Sequence, residues 1–189
     1  MKKIELVYSY MLEQALERKR FGMTQAEIAK ALQISLSTVN MAVGHLKKMN
    51  AVRLRLRSMD VVDAKKILYY WASIRDVERD IVYSTRVDAP AGEIEKSMPP
   101  DILYAAYSAY KLKFKDAPAD YSEVYVYGEA EKLMKRFPPA KNRPNLFVLS
   151  KGPQKMTIAN IFVDLWNMKE WYAKEFLNAM ERKIDGILA

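Results

Sequence analysis

Two helix-start signals, eleven residues apart, constrain this chain more than any other feature of its sequence. Thr24-Gln25-Ala26-Glu27 reads as a capping box: the Thr24 hydroxyl accepts from an amide of the first turn while Glu27 reaches back to the Thr24 amide. Ser35, at the head of Ser35-Leu36-Ser37-Thr38, can cap a second helix in the same way. The first helix is short and runs through Ile28, Ala29 and Leu32, and the second reaches Met49 with Val39, Ala42, Val43 and Leu46 on one buried side. Only Gln33 and Ile34 remain to join them. Two helices crossing through so tight a turn need a small side chain where they come closest, which Ala29 supplies, and Leu32, Ile34 and Val39 close a miniature core between them.

The flanks extend this pattern. From Ile4 to Arg20 apolar residues recur at spacings of three and four, the mark of an amphipathic helix, and Gly22 is placed to stop it. After the Ser35 helix, Val52, Leu54 and Leu56 alternate with Arg53, Arg55 and Arg57, so a strand is expected with leucines inward and guanidiniums outward. The outer side of the Ser35 helix offers Ser37, Thr38, Asn40 and Met41, small or amide side chains able to reach base edges in a major groove. Asn40 has the one amide there suited to bidentate pairing with adenine. The formal charge of +8 is concentrated in the same region: residues 1–57 hold 11 Lys or Arg against four Glu, and the rest of the chain is nearly balanced. Cations so placed displace counterions from a phosphate backbone.

On these residues, Thr24 to Met49 resembles the helix-turn-helix of winged-helix transcriptional regulators of the MarR and ArsR type, and Ile34 to Val39 is similar to the start of their recognition helices. The resemblance implies double-stranded DNA as partner, with contacts from Ser35, Ser37, Thr38, Asn40 and Met41 and with Lys47 and Lys48 nearer the backbone. His45 would touch a phosphate, and Arg53, Arg55 and Arg57 would lie on a wing. Two departures stand out. Gln33 occupies a turn position where such motifs often carry glycine, and Ser58-Met59-Asp60 replaces a glycine-rich wing tip.

Beyond Asp60 the pattern changes, which divides the chain into residues 1–60 and 61–189. Ala64 to Ile74 reads as a helix, Ile81 to Val87 as a strand, Ile102 to Lys111 as a helix opened by Pro99-Pro100, and Ser122 to Tyr127 as a strand ended by Gly128. Ala130 to Phe137 gives a short helix, Asn145 to Leu149 a third strand, and Ile158 to Ile184 a long helical stretch with a stripe that includes Phe162, Trp166 and Phe176. The expected class is α+β: a winged helix-turn-helix followed by a small sheet and a long C-terminal helical region. Tyr104, Tyr107 and Tyr110 fall along one side of the expected 102–111 helix. Tyr125-Val126-Tyr127-Gly128, Asn145 to Leu149 and Phe162 to Trp166 give this part a resemblance to the nucleotidyltransferase-like domain of abortive-infection antitoxins of type IV toxin-antitoxin pairs. The glycine turn followed by paired carboxylates that such catalysis needs is absent, so the resemblance implies an inactive domain.

With no cysteine and one histidine, thiolate sites, His clusters and most nucleophile–base pairs are excluded, and no catalytic residue, cofactor or metal is expected. A reducing cytoplasm suits this composition. No stretch reaches the roughly 18 apolar residues of a membrane span. The first expectation is a DNA-binding transcriptional regulator, not an enzyme, dimeric on an inverted repeat because one short helix discriminates modestly and two-fold pairing doubles its contacts. The first or the last helix would pair the copies, and the C-terminal part would also meet a protein partner or small ligand. The alternatives are an autorepressing antitoxin and, from another class, a metal-dependent nuclease or nucleotidyltransferase built on Glu93 and Glu95.

Overall fold

The computed structural model describes residues 1–150 and 152–189. Among these residues the chain is α+β, with two small sheets and helices α1 (Lys3–Glu17), α2 (Gln25–Leu32), α3 (Leu36–Lys48), α4 (Ala64–Ile74), α5 (Ala91–Lys96), α6 (Ala106–Phe114), α7 (Ala130–Arg136), α8 (Ile158–Trp166) and α9 (Ala173–Leu188). The first sheet is antiparallel, in the order β1 (Gly22–Met23), β3 (Met59–Val61), β2 (Val52–Leu54). The second has the order β4 (Ile81–Thr85), β7 (Leu146–Leu149), β6 (Val124–Tyr127), β5 (Leu103–Tyr104). Its central pair β6 and β7 is parallel and its outer pairs are antiparallel.

The helix starts form as the sequence dictates. Thr24 Oγ1 accepts the Glu27 amide at 3.0 Å and Ser35 Oγ accepts the Thr38 amide at 3.2 Å. Bonds from the Arg20 guanidinium, helped by the Thr24 amide, hold the Glu27 carboxyl below the usual range, so its charge stays at the positive end of α2. Gln33 adopts the left-handed backbone of the turn, with φ 53°, and the Ile34 amide returns to the Ala29 carbonyl at 3.1 Å. A non-glycine residue there costs roughly 1 kcal/mol, which the two capped helices offset.

Several expectations about boundaries are corrected. α1 ends at Glu17 rather than Arg20, and Lys19 (φ 53°), not Gly22, makes the left-handed turn, with the Arg20 amide folded back onto the Gln14 carbonyl at 2.9 Å. Gly22 instead lies in β1 opposite Asp60. The strand beginning at Val52 stops at Leu54 because the Arg55 amide bonds the Ser58 carbonyl at 2.8 Å and turns the chain into β3. Leu54 and Leu56 consequently face solvent instead of the core.

In the C-terminal part, residues 102–105 are not helical. Leu103 and Tyr104 pair with Tyr127 and Val126, and the Ala105 amide bonds the Tyr125 carbonyl at 2.9 Å, so the ladder to β6 overrides the proline signal and α6 starts at Ala106. Tyr104 therefore leaves the line of Tyr107 and Tyr110, whose rings are buried against Phe176 at centroid distances of 4.9 and 5.3 Å. The stretch from Ile158 to Ile184 is two helices, because Asn167 ends α8 by bonding the Val163 and Ala72 carbonyls at 2.9 and 3.2 Å. At the end of α8, just before that break, Trp166 is partly exposed rather than within the buried stripe.

α1 lies at the centre of the principal core. It packs against α3 on one side and against α4 and α8 on the other, so the apolar interior runs without a break from Val7, Met11 and Val39 to Phe162 and Phe176. A smaller core, with Ile94, Val126, Leu133 and Val148, lies between the second sheet and helices α5 and α7. Polar groups thread the main core. Glu5 accepts from Trp71 Nε1 at 3.1 Å, Arg75 lies 3.6 Å from Glu5 and 2.6 Å from Asp80, and the Tyr127 hydroxyl donates to Asp164 at 3.0 Å. Burial pushes the Asp164 carboxyl up to about 7 against the opposing pull of Arg75. No described helix is long and apolar enough to cross a membrane.

Candidate nucleic-acid interface

The side of α3 turned toward the core is fixed by Val39, Ala42, Val43 and Leu46, all buried, and by the Tyr8 hydroxyl, which lies 3.5 Å from the Ala42 carbonyl. Because α3 has 3.6 residues per turn, this leaves one outward stripe through Ser37, Asn40, Met41, Gly44 and Lys48. Ser37, Asn40, Met41 and Lys48 are exposed, Met41 to 55%. No other described residue covers them. The stripe therefore presents one amide, one hydroxyl, one thioether and one ammonium around a glycine that carries no side chain.

Ser35 and Thr38 take a different part. Their hydroxyls lie 2.8 Å apart and Ser35 Oγ also accepts the Thr38 amide, so both serve the cap before any partner arrives. Thr38 is half-buried and Ser35 is exposed. His45 is exposed on the flank of the stripe, its ring 6.2 Å from that of Tyr70. Lys47 and Lys48 occupy the last turn of α3, where they complement the negative end of the helix.

Past α3 the chain enters the β2–β3 hairpin without slack. Asn50 takes a left-handed backbone (φ 56°), the Ala51 amide bonds the Leu46 carbonyl at 3.0 Å, and the Ala51 carbonyl receives the Val62 and Asp63 amides at 2.9 and 3.1 Å. Arg53, Arg55 and Arg57 are all exposed. Arg55 is tied to Asp60, whereas Arg53, Arg57, Lys47 and Lys48 form no ion pair among the described residues. Each would otherwise carry its own counterions.

No family model, curated protein or solved structure matches this chain.

Sequence reasoning missed three features of this face. Gly44 sits in the middle of the outward stripe, a position legible from the helical period once the buried side is assigned. Leu36 is half-exposed at the start of α3. Leu56, which the alternation directs inward, is 97% exposed at the hairpin tip. Only the register of the hairpin reveals that reversal, since Val52 opposite Val61 and Leu54 opposite Met59 leave Arg55 to Ser58 as the turn.

Of the two carboxylates singled out for metal chemistry, Glu93 is exposed and Glu95 is otherwise engaged. Glu95 receives Lys111 Nζ at 2.9 Å and the Tyr121 hydroxyl, and although burial raises it these bonds hold its carboxyl below the ordinary range. Among the described residues no three His, Cys, Asp or Glu side chains are grouped so as to hold a metal ion.

Proposed function

We propose that this chain is a sequence-specific binder of double-stranded DNA that regulates transcription in the cytoplasm, with residues 1–60 acting as a winged helix-turn-helix. In this reading α3 lies in the major groove and presents Ser37, Asn40 and Met41 to base edges, while the β2–β3 hairpin is the wing. Lys47, Lys48, Arg53 and Arg57 hold phosphates and set the register of the protein on the duplex. The observation that carries the reading is the uncovered stripe of α3, which offers an amide and a hydroxyl, bordered by four cations with no carboxylate partner among the described residues.

One such helix reads only a few base pairs, so the functional unit is a homodimer on an inverted repeat, with residues 61–189 supplying the pairing surface or the seat of a protein or small-molecule effector. A groove of about 700 Å³ runs between α1, the α2–α3 turn at Ala31 to Gln33, and residues 152–157. Ligand bound there would press directly on the turn that aims α3.

The test is selection of bound fragments from a random duplex pool at two salt concentrations. Enrichment of a two-fold symmetric sequence is expected, with affinity falling as log salt rises at a slope of about −4 per protomer if all four free cations meet phosphates. A pool that stays random, or affinity insensitive to salt, would overturn the reading.

A further inference from the structure

The hairpin tip carries apolar side chains where solvent alone would favour polar ones. Leu56 is 97% exposed and Leu54, two residues before it, is 41% exposed. Single exposed leucines are common on protein surfaces. Here, however, Leu56 stands at the extremity of a turn between Arg55 and Arg57, on a hairpin whose Arg53 and Arg57 have no ion-pair partner among the described residues. A leucine framed by cations matches a surface that is anionic at its edges and apolar inside. The minor groove of a DNA duplex has that character, with phosphates along both walls and stacked bases at its floor.

The hairpin is also placed to reach it. Ala51 bonds both to the end of α3 and to the return strand, so the hairpin and α3 move as one piece. From Ala51 to Leu54 is three residues of strand, about 10 Å at the rise of a strand, and the turn at Arg55 and Leu56 carries the tip beyond it. Half a turn of duplex, the offset from a major groove to the next minor groove, is about 17 Å. The groove is about 6 Å wide, room for one tip side chain rather than for both strands.

We propose that Leu56 is an apolar wedge that enters the minor groove beside the α3 contact and partly unstacks one base step, bending the bound DNA, with Arg53 and Arg57 on the flanking phosphates. The proposal rests on the reading of α3 as the helix that meets the duplex. Pyrimidine–purine steps unstack most easily, so the wedge adds selectivity at a position where no hydrogen bond is made. A leucine supplies this where a lysine would only neutralise charge.

The experiment uses the full chain and a duplex recovered from the pool, with donor and acceptor dyes at its two ends. Bending is read by energy transfer for the wild type, Leu56→Ala and Leu56→Met. The expected result is a shortened end-to-end distance with wild type and with Leu56→Met, loss of the shortening with Leu56→Ala, and loss of the preference for a pyrimidine–purine step at the wedge position. Because Leu56 is exposed, all three proteins should share one melting temperature, and a melt of each verifies that the fold is intact. Wild type that binds without bending, or Leu56→Ala that bends as wild type does, overturns the wedge and leaves the α3 reading standing. Absence of any duplex binding by wild type overturns both. Loss of self-association by Leu56→Ala with the bend intact would assign the tip to a second copy of the chain and also overturns the wedge.

Discussion

Replacing Gly44 by alanine should move stability and duplex binding in opposite directions. Gly44 lies inside the 13-residue helix α3 with ordinary helical backbone, and a Cβ added there meets nothing within 4 Å. Glycine in a helix interior costs about 0.5–1 kcal/mol relative to alanine, and no contact in the chain requires it. Gly92 and Gly186 also have open space, but they stand in the first turn of α5 and the last turn of α9, where less helical order is at stake. The substitution should therefore stabilise the fold by about 0.5–1 kcal/mol and raise Tm by about 1–4 °C. With α3 in the major groove as proposed, the same methyl group would lift it away from base edges. Affinity for the selected duplex should fall about tenfold, some 1.4 kcal/mol, with little change on random DNA, where phosphate contacts dominate. Thermal melts and fluorescence anisotropy titrations read the two effects. A variant that is more stable and binds the selected duplex as tightly as wild type would refute the close approach, and one that melts lower would refute the account of the helix.

Asn40→Ala should relax sequence preference at one base pair of each half-site, costing about 1–3 kcal/mol on the selected duplex, whereas Arg57→Ala should weaken all duplexes alike and reduce the salt slope by about one; equal losses on selected and random DNA from both changes would erase that division. Ser35→Ala removes the acceptor for the Thr38 amide and should destabilise the fold by about 1 kcal/mol in denaturant unfolding, and an unchanged midpoint would deny the cap its role. Asp164 titrates near 7 in the fold and near 3.8 unfolded, so the folded state takes up a proton between those values. Its contribution is fully present at low pH and is lost as pH rises toward 7, with a limiting slope of about 1.4 kcal/mol per pH unit. Measured against Asp164→Asn, the wild type should lose relative stability from about pH 4 to pH 7, and parallel profiles would show that Arg75 and Tyr127 keep the carboxylate charged throughout.

The parts of the fold that were legible in the sequence are those fixed by local chemistry. The hydroxyls of Thr24 and Ser35, the buried side of α3 and helix α4 follow from capping and period alone. What was illegible depends on partners far along the chain. Residues 103–104 carry helix signals, yet they pair with Tyr127 and Val126 because β6 offers an open edge that no local pattern records. Leu54 and Leu56 continue the alternation of a strand, but where a hairpin turns decides which residues reach the core, and that is set by pairing with β3. The polar line from Glu5 through Trp71 and Arg75 to Tyr127 and Asp164 joins residues up to 159 positions apart. Spacing could not foretell it.

That line bears on how α3 is held. α3 rests on α1 through Val39, Val43 and the Tyr8 contact, and α1 rests in turn on α4 and α8. On its far side α1 carries Glu5, bonded by Trp71 and close to Arg75, and Ser9, whose hydroxyl donates to Asn160 at 3.0 Å. These are buried polar pairs, and a helix shifted by half a turn would leave each donor and acceptor unmatched at about 1–3 kcal/mol apiece. Apolar packing alone tolerates small slides, because one methyl can replace another. The hydrogen bonds do not. α1 is thus locked in rotation as well as position, and the outward stripe of α3 is aimed in part by Asn160, more than a hundred positions away. A contact made at the second sheet, next to Tyr127, would meet the line of Arg75, Glu5 and α1 on which α3 rests.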